Sequence, residues 1–190
     1  GTRGRFGAKK PPKGCAAKMS IPFIEAFPHD YECEAIEETR HGLPRWYYPG
    51  GSQFGGEDGY LIRVESKIAG PWQGIFAFGD LSTHVANGIY SCPDQRRLCV
   101  ISNGEGYYVN ADNPADCETV PLLPVLEVFP VPAVNLLVMH DWTDFVAYGP
   151  TGRAWRTPRL SWDGLWDVRV EGTVLAGKSW CAPTDEAVEF

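Results

Sequence analysis

No apolar run in this 190-residue chain approaches the ~18 to 20 residues of a membrane-crossing helix, and its N-terminus lacks the apolar centre of a secretory signal. These absences predict a soluble, cytoplasmic protein with no membrane partner. The six cysteines, Cys15, Cys33, Cys92, Cys99, Cys117 and Cys181, form no Cys-x-x-Cys pair. Their even number permits three disulfides, but without an export signal reduced thiols are the expectation.

Catalytic fingerprints are also missing. There is no G-x-S-x-G nucleophile elbow and no G-x-x-x-x-G-K-[ST] phosphate loop. The glycine-rich Gly50–Gly59 stretch lacks the strand-to-helix setting of a dinucleotide site and reads as a loop able to cover a cleft. Histidine is sparse, at four residues. His29, Cys33, Glu37 and His41 recur at every fourth position, yet four ligands spread over three helical turns cannot all reach one ion. A strand or irregular turn suits this stretch better, and neither metal nor cofactor is predicted.

Negative charge is absent from Gly1–Lys18, which carries Arg3, Arg5, Lys9, Lys10, Lys13 and Lys18. Removing these six from the 17 basic residues leaves 11 against 24 acidic ones, a net charge of −13 on residues 19–190. Such a body repels nucleic acid and anionic membranes, so nucleic acid is not an expected partner. Residues 1–18 read as a basic tail preceding a start-like Met19-Ser20, and residues 19–190 as a single β domain.

What is abundant is turn and aromatic character: 21 Gly, 16 Pro, seven Trp, eight Tyr and nine Phe in a chain that is 44% hydrophobic and 22% charged. That composition excludes general disorder and fits a mainly β protein. Phe76–Gly88 aligns with Leu137–Gly149 at an offset of 61 residues, matching Asp80 with Asp141, Val85 with Val146, Ala86 with Ala147 and Gly88 with Gly149. Asn103-Gly104 follows the first copy and Asp163-Gly164 the second, and both dipeptides suit type I′ hairpins. Two repeat-like units, about 60–119 and 133–190, are therefore expected, each of several antiparallel strands. The geometry they predict is propeller-blade-like units, a sandwich or a partly open barrel. Between them Val120–Pro132 is apolar but contains four prolines, which predicts an extended strap or an edge strand.

Two constellations carry chemical potential. Arg153, Trp155, Arg156, Arg159 and Trp162 combine guanidinium forks, which clamp carboxylate or phosphate, with indole faces, which stack on sugars or cations. On a regular strand Arg153, Trp155 and Arg159 share one face, and Arg156 and Trp162 the other. A small anionic or carbohydrate ligand, or a protein partner, fits such a surface; tryptophans anchoring the core beside arginines paired with acids is the structural alternative. The second constellation is Asp80, His84, His140 and Asp141. Each aspartate precedes a Ser or Thr by two positions, the arrangement of an Asp-based turn. Brought together by pseudo-symmetry, they would instead make an acid–base site.

At Ala154–Leu165, together with Asn87-Gly-Ile-Tyr-Ser-Cys-Pro93, the chain resembles an uncharacterised group of bacterial soluble β proteins, over most of residues 60–190. The resemblance implies a soluble bacterial protein and brings no activity or catalytic residue with it. Absence of a nucleophile, metal cage or cofactor motif leads to the expectation of a non-catalytic ligand-binding or protein-interaction module. The competing expectation is a small hydrolase or isomerase-like enzyme using Asp80, Asp141, His84 or His140 with an arginine. A homo-oligomer with exchanged strand edges is a third.

Overall fold

The computed structural model describes residues 21–80, 82, 84–181 and 186–190. The basic tail, like Cys15 and the side chain of Cys181, lies outside the described residues. Sixteen strands and one 3-10 turn at Pro132–Val134 make up the regular structure of the described residues. The first run is β1 (Phe23–Ile24), β2 (Tyr31–Ala35), β3 (Arg45–Tyr48), β4 (Gly59–Ser66) and β5 (Gly70–Ala77). The second is β6 (Gly88–Ser91), β7 (Arg97–Ser102), β8 (Glu105–Asn110) and β9 (Asn113–Thr119). Then come β10 (Glu127–Val131), β11 (Leu136–His140), β12 (Phe145–Gly149) and β13 (Gly152–Arg156), and finally β14 (Leu165–Glu171), β15 (Val174–Cys181) and β16 (Glu186–Glu189).

These strands form four open sheets, in the orders β2-β4-β5-β3, β1-β6-β7-β8-β9, β10-β11-β12-β13 and β14-β15-β16. Pairing is antiparallel except for β1 with β6 and β3 with β5. None of the sheets closes into a barrel, and the strand class is the mainly antiparallel β expected from composition.

The sheets stack face to face in chain order. One core cluster joins the first sheet to the second through Ile62, Val64, Trp72 and Phe76 against Leu98, Val100, Tyr107 and Val109. A second cluster joins the second sheet to the third through Cys99, Ile101 and Tyr108 against Leu137, Met139, Val146 and Tyr148. A third joins the third sheet to the fourth through Val138, Phe145 and Ala147 against Leu165. Period-two alternation makes this possible: Leu98 and Val100 point one way along β7, Cys99 and Ile101 the other. The two middle sheets are thus covered on both faces, which is why β7 and β12 read as unbroken apolar runs.

The outermost faces end the stack with charge. Across the first sheet Arg63 lies 3.5 Å from Glu34 and bonds Glu65. Across the fourth, Lys178 lies 3.0 Å from Asp167 and Arg169 2.6 Å from Glu171. The Val120–Pro132 segment buries Val120, Leu122 and Val125 in the second cluster before pairing as the edge strand β10.

The thirteen-residue duplication falls in two different settings. Leu137–Gly149 is the hairpin β11–β12 within one sheet. Phe76–Gly88 leaves β5 of the first sheet and enters β6 of the second. Turn chemistry separates the downstream dipeptides as well. Asn103 and Gly104 have φ of 47° and 77°, as a type I′ turn between β7 and β8 requires. Asp163-Gly164 instead lies on the crossover from β13 to β14, where the Ser161 hydroxyl bonds the backbone of Gly164. The regular strand considered for Arg153 through Trp162 stops at Arg156, two residues before Pro158, which cannot donate to a ladder.

Packing across the first interface gives a quantitative expectation. Phe76 stacks on Tyr48 at 4.5 Å between ring centres and lies edge-on to Tyr107 at 5.6 Å. Phe76→Ala is expected to cost about 3 to 5 kcal/mol in denaturant unfolding. At Gly59, opposite Ala77, an added Cβ would sit 1.9 Å from the Phe76 carbonyl oxygen, so Gly59→Ala is expected to cost about 1 to 3 kcal/mol. Loss below ~0.5 kcal/mol in both variants would contradict this packing.

Candidate functional site

A chain of backbone hydrogen bonds ties the loops at one end of the stack together. Gly79 donates to Ser102, Gly104 to Ala86, Val125 to Gly104, Leu126 to His140, Asp141 to Asp144 and Leu160 to Thr143. Asp80, His84, His140, Asp141, Arg156, Arg159 and Trp162 therefore belong to one rim, delivered by loops of all four sheets. Sharing a rim does not bring these side chains into one acid–base group.

Asp141 Oδ1 accepts the backbone N–H groups of Thr143 and Asp144, each at 2.7 Å, and the Thr143 hydroxyl at 3.3 Å. Its carboxylate is spent on closing the β11–β12 turn. Asp80 does the same with the Ser82 N–H at 2.8 Å. His140 is 2% exposed, with Nδ1 2.7 Å from the Asp141 carbonyl oxygen and Nε2 3.2 Å from Glu127. Its ring lies parallel to Phe129 at 6.0 Å and against Phe145 at 5.2 Å, so it fills space between the third and fourth sheets. His84 is exposed on the loop that crosses to β6.

The arginine and tryptophan residues divide by strand phase. A bulge between Ala147 and Tyr148 leaves Arg153 opposite Tyr148, Trp155 opposite Ala147 and Arg156 opposite Val146. Arg153 and Arg156 thus share the side of the second sheet, while Trp155 turns to the side of the fourth. A regular strand would have paired Arg153 with Trp155; the extra residue reverses that phase. Arg153 reaches Glu118 at 3.6 Å, and Arg156 holds Asp144 through Nε at 3.2 Å and Nη2 at 2.8 Å. Arg159 donates to the carbonyls of Ser161 and Trp162 and lies 4.8 Å above the Trp162 ring.

One contributor escaped the sequence reading. Trp142, in the Asp141–Asp144 turn, is 50% exposed with its ring beside Gly164, and on the crossover that carries Gly164 Trp162 is 63% and Leu160 43% exposed. Its position inside the duplicated motif was visible, but its counterpart there, Leu81, gave no aromatic signal.

Open clefts lined by described residues lie away from this corner. One is bordered by His29, Tyr31, Glu32, Glu65, Ser66 and Lys67, another by Tyr47, Pro49, Phe54 and Glu57 of the glycine-rich loop region. Among the described residues no group of three or more His, Cys, Asp or Glu is placed to hold a metal ion. Tyr31–Ala35 is a strand, so the every-fourth-residue spacing of His29, Cys33, Glu37 and His41 has no helical face to act on. Burial pushes the thiols of Cys33 and Cys99 up to about 12 and raises those of Cys92 and Cys117, the opposite of an activated nucleophile. No helix among the described residues is long and apolar enough to cross a membrane. No protein-family model matches the chain, and no curated protein matches it.

The two duplicated aspartates differ in load, which yields a test. Asp141→Ala strands two backbone N–H groups in a half-buried turn and is expected to cost about 1 to 2 kcal/mol. Asp80→Ala, losing one exposed contact, is expected to stay within about 0.5 kcal/mol of the parent. Denaturant midpoints of the two variants measure the difference, and equal losses would contradict the assigned roles.

Proposed function

We propose that this protein is a non-catalytic interaction module whose working surface is the tryptophan-rich corner of Trp142, Trp162, Leu160 and Arg159. The observation that carries the reading is the exposure of two indoles, 50% and 63%, on loops fixed by backbone hydrogen bonds rather than on a free tail. Large aromatic side chains left in water on a rigid frame gain most from burial against a partner, and Trp and Arg dominate interface hot spots. Arg153, Arg156 and Arg159 already hold Glu118, Asp144 and main-chain carbonyls. Their forks are partly spent, which favours a partner that also buries apolar surface, with any carboxylates taking the remaining donors, over a small free anion held by charge alone. For the architecture, the four successive sheets support a reading as stacked blade-like units, one per sheet, rather than two repeats of 60 residues.

The acid–base alternative draws less support: Asp80 and Asp141 act in separate turns, and the ring nitrogens of His140 are engaged by the Asp141 carbonyl and by Glu127. Panning a displayed peptide library against the protein tests the reading. Selected peptides are expected to lose about thirtyfold or more in affinity with Trp142→Ala or Trp162→Ala, at unchanged thermal midpoint. Binding confined to a glycan array would make the ligand a carbohydrate. Turnover of an ester, amide or sugar substrate abolished by Asp141→Asn at retained fold would overturn the module in favour of an enzyme.

A further inference from the structure

The third sheet ends in a strand unlike its neighbours. All five residues of β12 are buried, whereas in β13, the adjacent edge strand, four of the five are exposed and the fifth is half-buried. An interior sheet is covered on both faces, yet this strand touches the layers on either side only through Arg153 and Trp155 and, among the described residues, presents an unpaired backbone edge. Edges of this kind are normally shielded, because their free N–H and C=O groups template the addition of another strand.

Charge singles out the same place. From Phe145 to Trp162 the chain carries Arg153, Arg156 and Arg159 and no acidic residue, in a protein of net charge −7. A second copy is a poor occupant of the edge, since β13 laid against β13 sets arginine against arginine. An acidic strand is a good one. Each guanidinium has five N–H donors, more than one carboxylate takes, and the Arg153 and Arg156 side chains remain 47% and 44% exposed beside Glu118 and Asp144. On the other face the bulge aims Trp155 at a crevice between the third and fourth sheets, lined also by Val131, Val134, Leu136, Val170 and Leu175. Its volume of about 70 Å³ gives room for a small apolar side chain.

From these features we infer that β13 is a docking edge that adds an extended segment of a protein partner to the third sheet, with acidic side chains facing Arg153 and Arg156 and apolar ones facing Trp155 and its crevice. Strand addition draws affinity from main-chain hydrogen bonds and specificity from alternate side chains, which matches a basic face backed by an apolar one. The inference rests on the interaction-module reading and names the chemistry of the partner.

The test uses the full chain and labelled decapeptides in which glutamate alternates with valine or isoleucine, read by fluorescence anisotropy. The glutamate peptide is expected to bind at least about tenfold more tightly than its lysine counterpart, with an affinity that falls as salt rises. Methylating one alternate set of peptide amides is expected to abolish binding while methylating the other set is tolerated, because only one set faces the ladder. Amides of Gly152–Arg156 gain protection from hydrogen exchange on binding. Equal affinity for the two peptides, equal effects of the two methylation patterns, or unchanged protection of Gly152–Arg156 would overturn strand addition. Panned peptides that require Trp142 and Trp162 yet leave those amides unprotected would overturn it while preserving the module; failure of every peptide to bind would overturn both.

Discussion

Burial of the second and third sheets on both faces is the constraint from which the rest of the molecule follows. A two-layer sandwich needs one apolar face per sheet, but here β7 and β12 supply two, with Leu98 and Val100 turned to one interface and Cys99 and Ile101 to the other. Every backbone group in those strands must be satisfied within its own ladder, because water reaches neither face. Continuous antiparallel pairing through β6 to β9 and β10 to β13 meets that requirement. Two of the tyrosines inside the stack are tethered, the Tyr48 hydroxyl donating to the Pro114 carbonyl and that of Tyr107 to the Ala77 carbonyl, whereas the buried Tyr108 hydroxyl finds no partner among the described residues.

The same constraint sorts the chemically interesting residues. Side chains within the layers have structural tasks, as His140 does between Phe129 and Phe145, and the aspartates at the rim serve the turns that let strands reverse. Freedom to meet a partner is left to residues beyond the layers. Trp142, Leu160 and Trp162 stand on loops at the rim, and β13 is the largely exposed edge strand beside the buried β12. Function in this reading is a property of where the stack stops covering its own surface.

Much of this was legible in the sequence. Turn-rich, aromatic composition, the dipeptide Asn103-Gly104 and the proline-punctuated Val120–Pro132 announced a mainly β chain, a hairpin and an extended strap or edge strand, and the structure has the β7–β8 hairpin and a buried strap that runs into the edge strand β10. Layer order was not legible, since the pairing of Leu98 with one neighbour and Cys99 with another is a long-range matter that no local pattern records. The two copies of the 61-residue duplication do not share a topology, for a physical reason: an apolar strand followed by an Asp turn is a general solution for ending a strand, whether the chain then folds back or crosses to another sheet. The phase of Trp155 was hidden by one bulged residue, and Trp142 by the non-aromatic Leu81 at its matched position. Pro158 ended β13 early and so separated Arg159 and Trp162 from the strand.

The most direct measurement is the network of methyl–methyl nuclear Overhauser contacts made by adjacent residues of β7. The four-layer account predicts that Val100 contacts methyls of the first sheet, such as Ile62 and Val64, while Ile101 contacts Leu137 and Met139 of the third, with the two sets not shared. Contacts from both residues to one common set would place β7 on the surface of a two-layer fold and contradict the account.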